Sequence, residues 1–386
     1  MQYINYVLLS VLVCVSGHKL EQVVVLSRHN IRTPLTKSLE RFSPHPWPSW
    51  KDAGFLTQKG AKLEEYMGEY ISKWLQKEKL LPKDCPNELA FVYANTRQRT
   101  RESAKAFVRG AFNCNVTVHT INTEKADPIF HPVIRNESKV LKSIIMNEMQ
   151  TNLDQLQLED SYELLENILD LKNSLACKDD GICSFKVKDQ ILYAIGEEPN
   201  LIGPLQQANA IVDSFLMSYY EGLPMKNIAW GKIKNDEDWK LLMKITRENL
   251  NVRFNGTTLS KEIAKPLLGY LKNIFEKESP KFALLHGHDA NLISVMAAIG
   301  FKGYNLPDQY EITPLGGKLV FQKWSHKDIK FLKVHYVYQT IEQLREGTKL
   351  SEINPPRWAE LEIVGCPKDK NEFCIWDDFM NIMRSL

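Results

Sequence analysis

The chain lacks a strong excess of either charge. Its 386 residues include 49 lysines and arginines against 47 acidic residues, a formal net charge of +2. Because nucleic acids and anionic membranes are bound through an extended positive field, this balance argues against both as partners. Any cationic site must therefore be local. The sequence also lacks internal repeats and low-complexity tracts, and beyond residue 17 it contains no apolar run long enough to span a bilayer.

The one marked apolar run lies at the N-terminus. Residues 1–17 carry an apolar stretch from Tyr6 to Val15 and end in the small pair Ser16-Gly17. This pattern is typical of a secretory signal peptide cleaved before His18, although no lysine or arginine precedes the apolar stretch. The sequence therefore predicts an exported protein, either periplasmic or secreted.

Cysteine is scarce, with seven residues, and removal of the leader with Cys14 leaves six. The sequence has no C-x-x-C pair and no clustered histidines, so nothing supports a metal site, and neither a metal nor another cofactor is predicted. An even number of cysteines in an exported chain suggests disulfides, with 15 possible connectivities. Sequence proximity favours Cys85–Cys114, Cys177–Cys183 and Cys366–Cys374.

Three strand-like runs are each followed by a helical pattern and not by a hairpin turn. They are Val23–Ser27, Ala90–Ala94 and Phe282–His286. This order predicts an α/β fold with a mostly parallel sheet flanked by helices. The polar residues that follow each run should meet at the carboxyl edge of that sheet, where ligands bind in such folds. Two later runs, Lys318–Trp324 and Leu332–Gln339, are expected to form strands at the sheet edge.

Between residues 127 and 255 the pattern changes to long amphipathic segments, such as Asp160–Lys172 and Pro204–Tyr220. Apolar positions in these segments recur at helical spacing. We expect a mainly α-helical domain at 127–255, inserted into an α/β domain formed by 18–126 and 256–386.

The first polar cluster is Arg28-His29-Asn30-Ile31-Arg32-Thr33-Pro34. It places one imidazole between two guanidiniums, directly after a strand. Guanidinium forks match phosphate oxygens, and their positive field keeps a histidine neutral and nucleophilic. The cluster therefore indicates attack by His29 on a bound phosphate, with a basic surface loop as the alternative.

The second cluster follows the second strand and contains Arg97, Arg99 and Arg101 at the start of a helix. A helix N-terminus helps to bind an anion, but three arginines at alternate positions cannot all face it, so at least two should be solvated. The third cluster, His286-Gly287-His288-Asp289, offers a carboxylic acid beside a second histidine. Asp289 suits the protonation of a leaving oxygen, or alternatively a helix N-cap, and His286 is expected to be a strand residue.

Together, the R-H-x-x-R-x-P box, the distal arginine and the late H-D pair resemble the histidine acid phosphatase family, from about Gln22 to Phe379. Within the family the chain is most similar to the bacterial periplasmic glucose-1-phosphatase branch, which Asn30 matches. The resemblance implies that His29 is the phosphorylated nucleophile and that Asp289 is the proton donor. It also implies phosphate-binding roles for Arg28, Arg32, Arg99 and His288. Glu221 is the carboxylate that would contact the sugar in this branch, although an exposed glutamate at a helix end is the alternative.

The resemblance implies an exported acid phosphatase that hydrolyses small phosphate monoesters without a metal, through a phosphohistidine. Sugar monophosphates, glucose 1-phosphate first, are the expected substrates. A broad phytase is the nearest alternative. An exported phosphate- or sugar-binding protein without turnover would need the arginines but not Asp289.

Overall fold

The computed structural model describes residues 17–36, 38–121 and 126–386. The predicted signal peptide, apart from Gly17, lies outside these residues. In the described chain no helix is both long and apolar enough to cross a membrane.

Most strands belong to one mixed sheet. In chain order, the strands are β1 (Lys19–Arg28), β2 (Ala90–Ala94), β3 (Val118–His119), β4 (Gln190–Leu192), β5 (Asn200–Ile202), β6 (Phe282–Gly287), β7 (Lys318–His326), β8 (Ile329–Tyr338), β9 (Arg357–Glu360) and β10 (Cys374–Ile375). The main sheet has the order β10-β8-β7-β1-β6-β2-β3, with β9 also pairing with β8, whereas β4 and β5 form a separate hairpin-like pair.

The predicted α/β fold is confirmed, and its parallel part is the core of the sheet. Strands β1, β6, β2 and β3 pair in parallel, whereas β7 to β10 are added in antiparallel orientation. The expectation that both late strands lie at the edge was wrong. Strand β8 pairs with β7 on one side and with β9 and β10 on the other, and β7 pairs with β1 and β8. The burial of residues 318–323 of β7 accounts for this inner position.

The continuous apolar run of β1 is explained by burial on both faces of the sheet. Val24 and Leu26 belong to one apolar cluster, whereas Val23 and Val25 belong to another. Successive side chains of a strand point to opposite faces, so the strand packs against a helical layer on each side. This double burial holds the C-terminal end of β1 firmly in place.

The helices cover both faces of the sheet and fill the middle of the chain. They are α1 (Gln58–Lys77), α2 (Gln98–Ala111), α3 (Lys139–Asp154), α4 (Glu159–Leu169), α5 (Leu175–Asp180), α6 (Pro204–Glu221), α7 (Asp236–Phe254), α8 (Thr257–Phe275), α9 (Asp289–Ile299), α10 (Ile341–Glu346) and α11 (Trp376–Ser385). Helices α1 and α2 contribute to the apolar cluster with Val23 and Val25, and α8, α9 and α11 to the one with Val24 and Leu26.

The segment 127–255 contains α3 to α7 and the β4-β5 pair. Helix α6 matches the expected Pro204–Tyr220 closely because its ends carry strong local signals. Pro204 is its first residue, and Gly222 ends it in the left-handed conformation at φ 91°. The predicted disulfides Cys85–Cys114, Cys177–Cys183 and Cys366–Cys374 are all present.

Candidate active site

The three polar clusters meet at the carboxyl edge of the parallel strands, as the sequence predicts. Strand β6 lies between β1 and β2, with Arg28 opposite Gly287 and Ala94 opposite His286. The His29 amide donates to the Gly287 carbonyl over 3.1 Å, continuing the ladder beyond the strands. Residues distant in sequence are thereby fixed side by side around one cavity of about 340 Å³.

His29 is oriented by its own loop. Its Nδ1 lies 2.9 Å from the carbonyl oxygen of Asn30. Because a carbonyl only accepts hydrogen bonds, Nδ1 carries the ring proton and Nε2 keeps its lone pair. Burial lowers the pKa of His29 well below its ordinary value, and the charges of Arg99 and the other cavity arginines lower it further. Both effects favour the neutral ring, the form in which Nε2 can act as a nucleophile.

Arg28 is buried between two carboxylates. Its Nη1 is 2.5 Å from Oε1 of Glu311, and its Nη2 is 3.0 Å from Oδ2 of Asp289. Nη1 also donates to the Thr313 carbonyl over 2.6 Å. Burial by itself would lower the pKa of Arg28, but the two carboxylates raise it above its ordinary value. The guanidinium is therefore a fixed positive charge beside His29.

Arg32 and Arg99 complete the cationic side of the cavity. Arg32 donates from Nη2 and Nη1 to the two carboxylate oxygens of Asp213 on α6, over 2.8 and 3.0 Å. Arg99 lies in the first turn of α2, where burial and then the charge of Arg32 lower its pKa to about 10. It still carries its charge in acid. Arg97 is exposed, and neither Arg97 nor Arg101 lines the cavity, so the preference for Arg99 agrees with its position.

His288 and Asp289 stand at the start of α9. The His288 ring centroid is 5.4 Å from that of His29, edge to face. Oδ1 of Asn95 accepts a hydrogen bond from the backbone amide of Thr96, so the group that faces His288 is the Asn95 side-chain NH₂. This NH₂ donates to Nε2 of His288 over 2.9 Å. A neutral His288 therefore carries its proton on Nδ1.

Asp289 is the first residue of α9, and the N-cap position belongs to His288. The N-cap alternative for Asp289 was therefore wrong. Burial would raise the pKa of Asp289, but Arg28 and His288 outweigh it, so the pKa is lowered in the free protein. The carboxyl group is half-buried, lines the cavity and directs Oδ2 at Arg28.

A buried ionic network lies next to the loop that carries His29. Oε1 of Glu64 on α1 lies 2.5 Å from Nζ of Lys318 and 3.2 Å from Nε2 of His286. Its Oε2 accepts a hydrogen bond from the side-chain amide of Asn30 over 3.0 Å. Lys318 outweighs the burial of Glu64 and lowers its pKa to about 2. His286 is thus a buried strand residue, as expected, and Asn30 ties the loop of His29 to this network.

Glu221 is the one predicted site residue that the structure does not bring to the cavity. It ends α6 beside Thr57 and Lys59, where burial raises its pKa despite the opposing effect of both neighbours. It is not among the residues that line the cavity. Its role as a sugar contact stays a prediction that this position does not favour.

The sequence reasoning missed several charged residues of the cavity. Asp213 on α6, Arg253 on α7, Glu198 before β5 and Glu311 all line it. Arg253 donates from Nε to the Pro199 carbonyl over 2.8 Å and lies 3.7 Å from Glu198. None belongs to a recognisable motif. The one signal was a charged residue within a largely apolar run, as at Asp213 within residues 210–217.

No group of three or more histidine, cysteine, aspartate or glutamate side chains is placed to hold a metal ion within residues 17–36, 38–121 and 126–386. The expectation that the chemistry needs no cofactor stays a prediction.

Attack by a neutral histidine on a phosphorus atom held between guanidiniums is histidine phosphatase chemistry, and this is the class of protein that the sheet and its cavity define. The comparisons agree. The family model described as histidine phosphatase superfamily (branch 2) matches residues 19–170 and 217–338, so the chain belongs to that family.

Two curated relatives match this chain over nearly the whole length of both proteins. The glucose-1-phosphatase of Providencia rettgeri is 41% identical over 379 residues, covering 94% of this chain and 91% of the relative. The glucose-1-phosphatase of Salmonella typhimurium is 40% identical over 387 residues, with 96% and 93% covered. Among solved structures, a Hafnia alvei phytase in complex with tartrate is similar at a TM-score of 0.88 and 28% identity, covering 96% of this chain and 97% of the phytase.

Proposed function

We propose that this chain is an exported phosphatase that hydrolyses sugar monophosphates, with glucose 1-phosphate first, through a phosphohistidine on His29. The observation that carries the proposal is the geometry at His29. Its Nε2 is left with a free lone pair in a cavity shared with Arg28, Arg32, Arg99 and Asp289. The names of the two bacterial relatives support the choice of substrate.

In the first step, the three guanidiniums bind the phosphate dianion and Nε2 of His29 attacks phosphorus. The bond from phosphorus to the alcohol oxygen breaks, and Asp289 gives its proton to that oxygen. Charge stabilisation by positioned cations supplies most of the acceleration in such transfers. His288, whose ring centroid lies 5.4 Å from that of His29, contacts the same phosphate group.

In the second step, a water molecule attacks the phosphohistidine. Asp289, now a carboxylate, takes a proton from this water, the bond between nitrogen and phosphorus breaks, and phosphate leaves. The residues return to their starting protonation states.

An acidic optimum follows from the charges around Asp289. In the free protein Arg28 and His288 hold its pKa down. A bound dianion neutralises Arg28, so it raises the pKa of Asp289 and favours the protonated form that the first step needs. His29, whose pKa is well below its ordinary value, stays neutral over the same acidic range.

The cavity suits a monophosphate better than a highly phosphorylated substrate. Its volume of about 340 Å³ lies near the lower end of the roughly 300–1,000 Å³ usual for small-molecule sites. Among the described residues, four arginines and four carboxylates line it, and no lysine does. The arginines are 28, 32, 99 and 253, and the carboxylates are 198, 213, 289 and 311. This balance leaves little surplus charge for additional phosphates and argues against the broad phytase alternative.

Export is supported by the disulfides and by the predicted leader, since disulfides persist in oxidising compartments. The periplasm and the exterior of the cell are equally compatible with this proposal.

A substrate panel tests the proposal. The purified protein is assayed in acid, with EDTA present, on glucose 1-phosphate, an aryl phosphate and inositol hexakisphosphate. We expect kcat/KM to be higher for glucose 1-phosphate than for inositol hexakisphosphate. His29→Ala should lower every rate by at least about a thousandfold, because His288, the other histidine that lines the described cavity, has its Nε2 lone pair engaged by Asn95.

His119→Ala, which removes an exposed histidine of β3 that stacks on Phe91 and lies outside the cavity, is the matched control. Labelled substrate and an alkaline denaturing quench should trap phosphate on wild-type protein and not on His29→Ala. Absence of a phosphoenzyme in the wild type, or retention of activity in His29→Ala, would show that the mechanism is wrong.

A further inference from the structure

Two helices present a stripe of polar side chains to the cavity. On α6 the stripe includes Asn209 and Asp213, four residues apart, and on α7 it includes Thr246 and Asn249, three residues apart. Residues at these spacings share one helix face. Most of the remaining inward surface of both helices is apolar. The polar stripe is therefore confined to the wall that faces the site.

Three oxygens of this wall have no hydrogen-bond partner among the described residues. They are Oδ1 of Asn209, Oγ1 of Thr246 and Oδ1 of Asn249, and each is buried from solvent. Buried polar atoms in native proteins are nearly always hydrogen-bonded. Since no described residue donates to them, a hydroxyl of a molecule bound in the cavity, or a water, would supply the missing donors.

We infer that Asn209, Thr246 and Asn249, called the acceptor wall below, bind free hydroxyl groups of the substrate's alcohol part and select against phosphorylated ones. This inference rests on the proposed function, because it assigns the alcohol subsite of the same phosphatase cavity. Hydroxyl groups donate hydrogen bonds, whereas fully ionised phosphates only accept them. An inositol that carries phosphate at every position has no free hydroxyl, and in acid each of its phosphates offers at most one O–H donor beside several charged acceptor oxygens.

The position of the wall fits an alcohol subsite. Asn209 precedes Asp213 by one helical turn, and Asp213 is bound to Arg32 of the phosphate-binding loop. The wall therefore begins about one turn from the cationic side of the cavity, or roughly 5–6 Å between side-chain origins. A monophosphate held by the arginines would place its first ring hydroxyls against Asn209, with Thr246 and Asn249 beyond.

The test replaces each side chain by an apolar one of similar shape, as Asn209→Leu, Thr246→Val and Asn249→Leu. For each variant, kcat/KM is measured on glucose 1-phosphate and on an aryl phosphate. We expect the loss on glucose 1-phosphate to exceed the loss on the aryl phosphate by about three- to tenfold, the value of one hydrogen bond. The effect should appear mainly in KM, because the hydroxyls do not take part in the chemistry.

Ser161→Ala is the matched control. It removes another buried oxygen without a partner among the described residues, in α4 and outside the cavity. The ratio between the two substrates should not change in this variant.

Sugar monophosphates that lack one hydroxyl group allow a second test, which matches each hydroxyl to one side chain of the wall. When the substrate already lacks the hydroxyl that a wall residue binds, replacing that residue should lower kcat/KM no further.

The outcomes separate this inference from the proposed function. If wild-type protein prefers inositol hexakisphosphate to glucose 1-phosphate, the proposed substrate is wrong. The wall is then judged on glycerol and inositol monophosphates against the aryl phosphate. With any of these substrates, equal losses on the hydroxyl-bearing and the aryl ester, or no loss on either, would overturn the inference.

Discussion

At the scale of single residues, the proposed proton transfer depends on Asp289, a carboxyl group whose pKa the bound substrate must raise. Arg28 and His288 hold the pKa of Asp289 below its ordinary value in the free protein. A dianion bound to Arg28 opposes this effect. The coupling links the protonation of the donor to occupancy of the site, so the pH dependence of turnover should report Asp289 in the complex.

Asp289→Asn should separate substrates by their leaving groups. An amide cannot donate the proton, so turnover of glucose 1-phosphate should fall by about a hundred- to ten-thousandfold. An aryl phosphate with a good leaving group needs no proton and should lose much less. The wild-type rate on glucose 1-phosphate should fall as pH rises through the pKa of Asp289 in the complex.

Exposed Asp84→Asn serves as the control for Asp289→Asn. Equal losses on the two esters would instead indicate that Asp289 acts by holding Arg28, to which it is bound at 3.0 Å.

At the scale of elements, strands and motifs were predictable from the sequence because both depend on local patterns. The three strands are continuous apolar runs buried on two faces, and their polar ends had to meet once the sheet was parallel. Helix ends such as Pro204 and Gly222 were equally local. The N-cap was misjudged by one residue because β6 extends to Gly287, which moves the cap to His288.

The alcohol side of the cavity could not be predicted in the same way. Asn209 and Asn249 come from helices that are separate in sequence, and neither side chain belongs to a motif. Only the packing of α6 beside α7 makes them neighbours. Glu221 was assigned by resemblance alone, and the rotation of α6 places its last turn beside Lys59, away from the cavity.

The network beneath β1 and β6 should stabilise the fold through Glu64. Its pKa of about 2 lies below the ordinary value. Such a group stabilises the folded state above its unfolded pKa, and this contribution is lost as pH falls through the folded pKa. Glu64→Gln leaves Lys318 buried without its carboxylate, so we expect a loss of about 3 kcal/mol in unfolding free energy near pH 6.

Urea unfolding at pH 6 and near pH 2 measures the effect of Glu64→Gln. The difference from wild type should shrink at the lower pH, because Glu64 becomes protonated there. The control is Glu65→Gln on the same helix, where a partly exposed carboxylate pairs with Lys62 and Arg109. It should cost less than about 1 kcal/mol. A Glu64→Gln deficit that is the same at both pH values would contradict the assignment.

At the scale of the whole molecule, chemistry and selectivity come from different parts of the chain. The strand ends, α2 and the first turn of α9 supply His29, the arginines proposed to bind phosphate and Asp289. Helices α6 and α7 and the segment before β5 supply the opposite side of the cavity. Selectivity should therefore change through the second set without loss of the phosphohistidine.

Glu198 provides the test of this division. It contributes one of the four carboxylates of the cavity and lies 3.7 Å from Arg253. Glu198→Gln removes a negative charge and releases Arg253 to bind a further phosphate. We expect activity on inositol hexakisphosphate to rise relative to activity on glucose 1-phosphate by about three- to tenfold. The factor is modest because Glu198 is partly exposed and its charge is screened by solvent.

Glu221→Gln, at the end of α6, is the matched variant and should leave the ratio of the two activities near the wild-type value. If Glu221→Gln shifts the ranking and Glu198→Gln does not, the resemblance located the sugar contact correctly and the position of Glu221 beside Lys59 changes when substrate binds.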